Sequence, residues 1–394
     1  MVNRTTITTI VRVLQLVAVM GGCFNHWSIT LLKGTPPFFS SAAYSAAALL
    51  GLTFLFFSSG FLSQLSFSTH QESSSDRNFC MDFIVGRYWR LLLPVLAAVA
   101  FDYWLQGFAD HSQTSDVPRA LPFLLTLTQT WHYSILGATS LAEPAGGSNM
   151  ARLGANLFFL AILFGATAPF WNRIRSVRAL CLILAVCAVV LAVFLNVVNH
   201  FLPQINGWAA DRYGVDLPSA YGFAAWLVEY CPFVHIPTFL VGVLLARLCQ
   251  VAEPSLLSGV LIAALLFGIF VPGHAAYLGW SVVLVVIVTR WASVFLDTDS
   301  RCSRLLVSSG LLARLGACAY EVYVLHLVIY LAFTLAVMPA MNAYGVTLLA
   351  GRVLAVNGFM LLLCLGLAEL YFFRGLARLT SARGCKNIGD LCYV

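Results

Sequence analysis

The stretch Ile10–Leu32, IVRVLQLVAVMGGCFNHWSITLL, decides the fold. It reaches the roughly 20 apolar residues that cross a bilayer as a helix, yet it holds Arg12 near one end and His26 near the other. On one helix the step between them turns through about 1400°, roughly 40° short of four full turns, and climbs roughly 21 Å. The two groups therefore share a face. An ionised side chain inside a bilayer costs at least about 2.5–3.5 kcal/mol, so it normally faces a bundle interior or a water-filled cavity. Two readings follow from the phase alone. Either the pair faces a site, or Arg12 snorkels to the near interface while His26 sits in the far one.

The rest of the chain repeats this apolar pattern. Of 394 residues, 60% are hydrophobic and only 10% are charged, against about 25% charged in soluble domains. The chain therefore reads as a polytopic membrane protein. The net charge of +6 belongs to the positive-inside rule rather than to nucleic-acid binding, since no basic patch is interleaved with aromatics. The first run is too long for a signal-peptide core and continues into more apolar chain, so it reads as a retained span. The eleven cysteines are scattered without a CxxC pair and read as small core hydrophobes. No HExxH, paired-cysteine or carboxylate cluster points to a metal, and no Gly-rich loop between strand and helix points to a nucleotide site.

Further apolar runs cover about 43–67, 91–105, 153–170, 179–201, 233–248, 256–271, 275–291, 315–337 and 346–373. Charge sets their direction. Arg77, Arg87 and Arg90 lie on one side, Asp102, Asp110 and Asp116 on the other, and Arg173, Arg175 and Arg178 again on the first. Only one crossing fits between Asp116 and Arg173, so the short, polar run Leu121–Gly137 reads as a re-entrant or interfacial segment. The expectation is an all-α transmembrane bundle of about ten spans with both termini cytosolic. It forms a single membrane-embedded domain over 1–394, ending in a basic tail from about residue 374 with Arg374, Arg378, Arg383 and Lys386. No internal repeat flags an inverted-repeat transporter.

Several local patterns stand at the span ends. FFSSGFL (56–62) closes the second run, RYWRLLLP (87–94) opens the third, LTQTW (127–131) lies in the short segment, and PFVHIPTFLVGVLLARL (232–248) and LGACAYEVYVLHL (315–327) follow. This ordered set resembles the acyltransferase-3 family of integral membrane enzymes, over about Arg12 to Arg378. The resemblance implies a membrane O-acyltransferase, most naturally an acetyltransferase, that moves an acyl group from acyl-CoA to a hydroxyl of a carbohydrate or glycolipid acceptor. It makes His26 the catalytic residue and Arg12 its orienter or charge partner. The spacing between them is about one helical turn longer here than in the family pattern, which keeps the face and moves the imidazole along the axis.

An imidazole suits that chemistry. A sugar hydroxyl is a poor nucleophile at neutral pH, and a base with an unperturbed pKa near 6.5 can take its proton as it attacks a thioester. An acyl-histidine intermediate is also open. Arg87 and Arg90, three apart and on one face, either anchor the span at the positive side or clamp the phosphates of CoA, for which guanidinium forks are well shaped. Ser59 and Gly60 match the family's SGF, with close helix packing as the plainer reading. Where the family places a Glu ahead of an aromatic pair, this chain has Asn156 before Phe158-Phe159. That group can hydrogen-bond but cannot act as a base. His326, with Tyr320 and Tyr323 at three-residue steps, is either a packing histidine or part of the site lining. His235, beside Pro237, is expected to order a loop. The sequence leaves two other classes open: a transporter or flippase for a lipid-linked glycan or small solute, and a catalytically inactive relative.

Overall fold

The computed structural model describes residues 4–31, 41–70, 76–108, 117–131, 149–213, 223–252, 254–271, 274–295, 310–343 and 350–370. The described residues are helical apart from a few short turns, with no strand among them. The chain-order helices are α1 (Arg4–Leu31), α2 (Ser41–His70), α3 (Asp76–Phe108), the short α4 (Val117–Thr126), α5 (Asn149–Arg173), α6 (Val177–His200) and α7 (Leu202–Tyr213). They are followed by α8 (Ile236–Val251), α9 (Pro254–Phe270), α10 (His274–Phe295), α11 (Gly310–Ala317), α12 (Ala319–Ala332), α13 (Met338–Ala343) and α14 (Ala350–Ala368). Among the described residues seven stretches are long and apolar enough to cross a membrane, and three shorter apolar helices, Ser255–Phe270, Ala275–Thr289 and Ala355–Ala368, accompany them. The basic tail lies outside the described residues.

Helix α2 is the centre of the bundle. In its apolar window 83% is buried, against 22% for the window on α6, so α2 is enclosed by protein while α6 faces the surroundings. The hydrophobic core accordingly falls into two halves on either side of it. One is built from α1, α3, α5, α12 and α14, and the other from α6, α8, α9 and α10. Serines are tolerated in this buried helix because they bond back to their own turns. Ser58 Oγ donates to the Phe54 carbonyl at 2.6 Å, and Ser63 Oγ to the Ser59 carbonyl at 2.7 Å. Glycine sets the closest approach. A Cβ on Gly60 would strike the carbonyl oxygen of Phe239, and one on Gly242 that of Phe57, so α2 and α8 touch backbone to backbone.

Two elements differ from the sequence expectation. The third span does not begin after the arginines: its apolar window is Cys80–Phe101 and encloses Arg87 and Arg90. Met81, Val85 and Trp89, at steps of four, keep the outer face apolar, which lets the guanidiniums turn inward without meeting lipid. The expected run 315–337 is interrupted at Cys318, between α11 and α12, and continues through a π turn at Phe333–Val337. The break frees the Ala317 carbonyl, which accepts a 2.6 Å hydrogen bond from Arg90 Nη2.

Before LTQTW, helix α4 has ten residues, about 15 Å at 1.5 Å each, and is followed by Leu127 with φ 52°. A left-handed leucine costs roughly 1–2 kcal/mol. The turn is held by the Thr128 N–H donating to the Phe123 carbonyl at 2.9 Å. The reversal places Gln129 and Thr130 in the protein interior. Residues 132–137 of the expected segment lie outside the described residues.

Candidate active site

Four helices bring charged and polar side chains to one narrow cavity. Arg12 and Gln15 come from α1, Ser59 from α2, Arg87 and Arg90 from α3, and Tyr320 from α12, with Leu55, Leu62, Leu91 and Leu157 closing the walls. The cavity measures about 20 Å³, room for about one water molecule. Three guanidiniums and no carboxylate line it. Beside it Glu321 Oε1 stands 3.4 Å from Arg90 Nε, the two side chains 4% and 11% exposed. Gln15 Nε2 donates to Ser59 Oγ at 3.5 Å, Tyr320 OH donates to the Leu91 carbonyl at 3.0 Å, and the Arg87 guanidinium lies over the Phe83 ring. Gly316 sets the spacing between α11 and α1, since a Cβ there would come within 2.9 Å of Arg12 Cβ.

A second group of polar side chains is gathered from α1, α5, α12 and the short turns at 129–131, 226–230 and 232–235. The Arg152 guanidinium, near the start of α5, lies 4.0 Å over the Tyr230 ring, bonds Tyr323 and reaches Glu229 Oε2 at 3.8 Å. His235 stacks on Phe56 at 4.0 Å and its Nε2 meets the Glu229 carbonyl at 3.2 Å, so it orders the turn that carries Glu229. Trp27 Nε1 donates to the His326 carbonyl at 3.2 Å, its ring 6.0 Å from the imidazole, and His326 Nδ1 meets the Tyr323 carbonyl. Thr130 Oγ1 donates to Asn156 Oδ1 at 3.0 Å, both buried, which fastens the LTQTW turn to α5.

Of the residues singled out from sequence, Arg12, Ser59, Arg87 and Arg90 line one cavity. Gly60 faces α8 as a packing contact. Asn156, Tyr323 and His326 belong to the second group. Tyr320 and Tyr323 do not address one neighbour: sixty degrees of helical offset sends Tyr320 to α3 and Tyr323 to Arg152. His26 lies on α1 immediately before the buried Trp27, and its side chain is outside the described residues. The sequence reading missed Glu321, Arg152, Glu229 and Tyr230. Glu321 was visible within YEVY as a carboxylate in an apolar run, the signal that ordinarily marks a site. Arg152 stands at a span edge, where an arginine resembles an interface anchor, and Glu229 gains meaning only from the fold.

Among the described residues no group of three His, Cys, Asp or Glu side chains could hold a metal ion. An anion suits the cavity better, since guanidiniums present paired N–H donors and keep their charge under burial. The chain matches no curated protein and no solved structure. A family model described as an acyltransferase domain matches residues 10–369, nearly the whole chain. That match runs from the turn before Arg12 to Glu369 and takes in both groups of polar side chains, and by it the chain belongs to the acyltransferase-3 family of membrane acyltransferases.

Proposed function

We propose that the protein is a membrane O-acyltransferase that takes an acyl group, most naturally acetyl, from acyl-CoA and delivers it to a hydroxyl of a glycan or glycolipid. The observation that carries the donor assignment is the cavity lined by Arg12, Arg87 and Arg90. Three guanidiniums gathered at one buried place are costly to hold together and would be matched by the phosphates of CoA once the helices part to widen the present space of about 20 Å³. The buried Glu321 fastens Arg90 and fixes the direction of its fork.

His26 is the general base of this reading, placed on α1 next to Trp27, which α12 holds through His326. It takes the proton of the acceptor hydroxyl as the oxygen attacks the thioester carbonyl, and the CoA thiolate leaves. Tyr323 of α12, beside His326, and Arg152 of α5, bonded to Tyr323, would supply O–H and N–H donors to the oxygen on which charge develops. Seven apolar stretches and three shorter apolar helices among the described residues are compatible with about ten spans; on that count the positive-inside rule would put both termini on the cytosolic side, with donor and acceptor approaching from opposite faces.

The test uses the full chain purified in nanodiscs with radiolabelled acetyl-CoA. Micromolar binding, slow hydrolysis and transfer to an added glycan pool are expected. Absence of CoA binding would favour the transporter class and overturn the reading, whereas binding without either hydrolysis or transfer would mark an inactive relative.

A further inference from the structure

Helices α6 and α9 leave an open trough between them that the chemistry above does not use. Its walls carry Cys181, Ala185 and Val189 of α6 and Leu256, Gly259 and Phe267 of α9, and its floor comes from α8 and α10. Every lining residue is apolar, and the cavity measures about 390 Å³. A methylene fills nearly the space of a water molecule, about 30 Å³, so the trough holds about thirteen of them. From Leu256 to Phe267 it runs about 17 Å along α9, close to the roughly 15 Å of hydrocarbon in one leaflet. Small residues keep it open. Ala185 and Gly259 are exposed, and a Cβ on Gly259 would meet nothing within 4 Å.

Arginines stand at one end of this trough. Arg178 lies on α6 in line with Cys181, Ala185 and Val189, since steps of three and four residues keep one helical face, and it is exposed together with Arg173 and Arg175. The turn that carries them is fixed from α8. Arg247 Nη2 donates to the Asn172 carbonyl at 2.8 Å and its Nε to the Ile174 carbonyl at 3.3 Å. The two stretches joined by these bonds, 172–178 and 247–256, hold four arginines and one carboxylate, Glu253.

We propose that the trough is a binding site for an anionic phospholipid, with one acyl chain between α6 and α9 and the phosphate on Arg178. The cavity takes most of a single chain, and the α6 face sets a guanidinium fork, shaped for phosphate oxygens, where the headgroup would emerge. The positive-inside rule would put this end at the cytosolic leaflet, where anionic lipids are concentrated. Simple anchoring of a span needs the arginines but no cavity in line with them. A helix from a second copy, about 10 Å across, is too thick for a trough whose two walls both pack on α10. The lining holds no hydroxyl, carboxylate or imidazole, so the lipid is held there and not acylated. Its binding does not rest on the acyltransferase reading.

The test uses the full chain, stripped of lipid in detergent and followed by native mass spectrometry and thermal unfolding. Dioleoylphosphatidylglycerol and dioleoylphosphatidylcholine, which share their chains, are the probes, and glycerophosphoglycerol supplies the headgroup without a tail. The anionic lipid is expected to raise the unfolding midpoint and to bind about tenfold tighter than the choline lipid, the worth of one charge-assisted hydrogen bond. Arg175→Gln/Arg178→Gln should bring the two lipids within about twofold of each other. Gly259→Leu and Ala185→Leu, which fill the trough, should each weaken both lipids about tenfold, the loss of about two buried methylenes, while the lipid-free midpoint holds. Equal affinity for the two lipids in the parent chain, or a preference that survives the arginine variant, overturns the proposal. So does binding that both trough-filling variants leave within about twofold, or displacement of the lipid by an equal concentration of glycerophosphoglycerol. A dimer that the same two variants dissociate would make the trough an interface between copies and overturn it as well.

Discussion

Arg90 and Glu321 meet at 3.4 Å inside the bundle, the guanidinium also donating at 2.6 Å to the Ala317 carbonyl freed by the break before α12. One side chain thus holds a carboxylate and closes an interrupted helix. Its partner Arg87, one turn earlier on α3, and Arg12 on α1 open into the same cavity.

Breaking this pair separates its structural role from binding. Arg90→Ala leaves a buried carboxylate without its cation, which in other proteins costs about 3–5 kcal/mol. The double variant Arg90→Met/Glu321→Leu removes both charges and should recover most of that loss. Thermal unfolding in detergent, followed by tryptophan fluorescence, reads the stability. Acetyl-CoA binding should be lost in both variants, because the clamp is absent from each. Recovery of binding along with stability would count against the donor role of Arg90.

His26→Ala should abolish acyl transfer while the protein stays folded and retained in membranes. A general base contributes typically about 10²–10⁴-fold, so residual transfer below about 1% of the starting rate is the expected reading of a radiolabel assay. Full activity would remove His26 from the mechanism.

The contact between α2 and α8 should be the least tolerant place in the bundle. Gly60→Ala and Gly242→Ala each push a methyl group into a facing backbone carbonyl, which cannot rotate away. Overpacking of this kind costs about 1–3 kcal/mol. By contrast Gly21→Ala, with nothing within 4 Å of the added carbon, should leave the unfolding midpoint unchanged or raise it, since glycine is a poor helix former. Equal effects at the three positions would show that helix propensity, and not packing, dominates.

The Thr130–Asn156 hydrogen bond fastens a strained turn to α5. Thr130→Val removes the donor and leaves the buried Asn156 amide oxygen short of a partner, at a cost of about 1–3 kcal/mol. The loss should be local. A cysteine introduced at Leu127, in a background whose reactive native cysteines are replaced, should label faster with a maleimide in Thr130→Val than in the parent. Equal labelling rates would mean that the aromatic contacts of Trp131 with Phe159 and Phe233 suffice to hold the segment.

Much of this architecture follows from local sequence. The helical class comes from apolar runs of bilayer length, because an exposed backbone cannot be satisfied in lipid and each run must close its own hydrogen bonds. The arrangement of Arg12, Ser59, Arg87 and Arg90 around one cavity was anticipated only as a list, through family motifs. Local pattern failed at three places for identifiable reasons. The start of α3 was misjudged because its arginines look like an interface anchor until Met81, Val85 and Trp89 are seen to carry the outer face. The break at Cys318 follows Gly316, but that glycine serves the close approach of α1, and the open turn itself is held by Arg90 from another helix. The turn at Leu127 uses a residue that rarely adopts positive φ, so no turn signal precedes it.

The sequence by itself determined that this chain is a helical membrane protein of the acyltransferase-3 kind, since apolar length, charge distribution and ordered motifs are properties of the chain alone. Only the tertiary structure decided which charges meet. Arg90 finds Glu321 across 231 positions of chain, and Arg152 finds Glu229, Tyr230 and Tyr323 from separate elements. A buried charge is tolerable only where packing supplies its partners, and packing between helices distant in sequence is not encoded in any one of them.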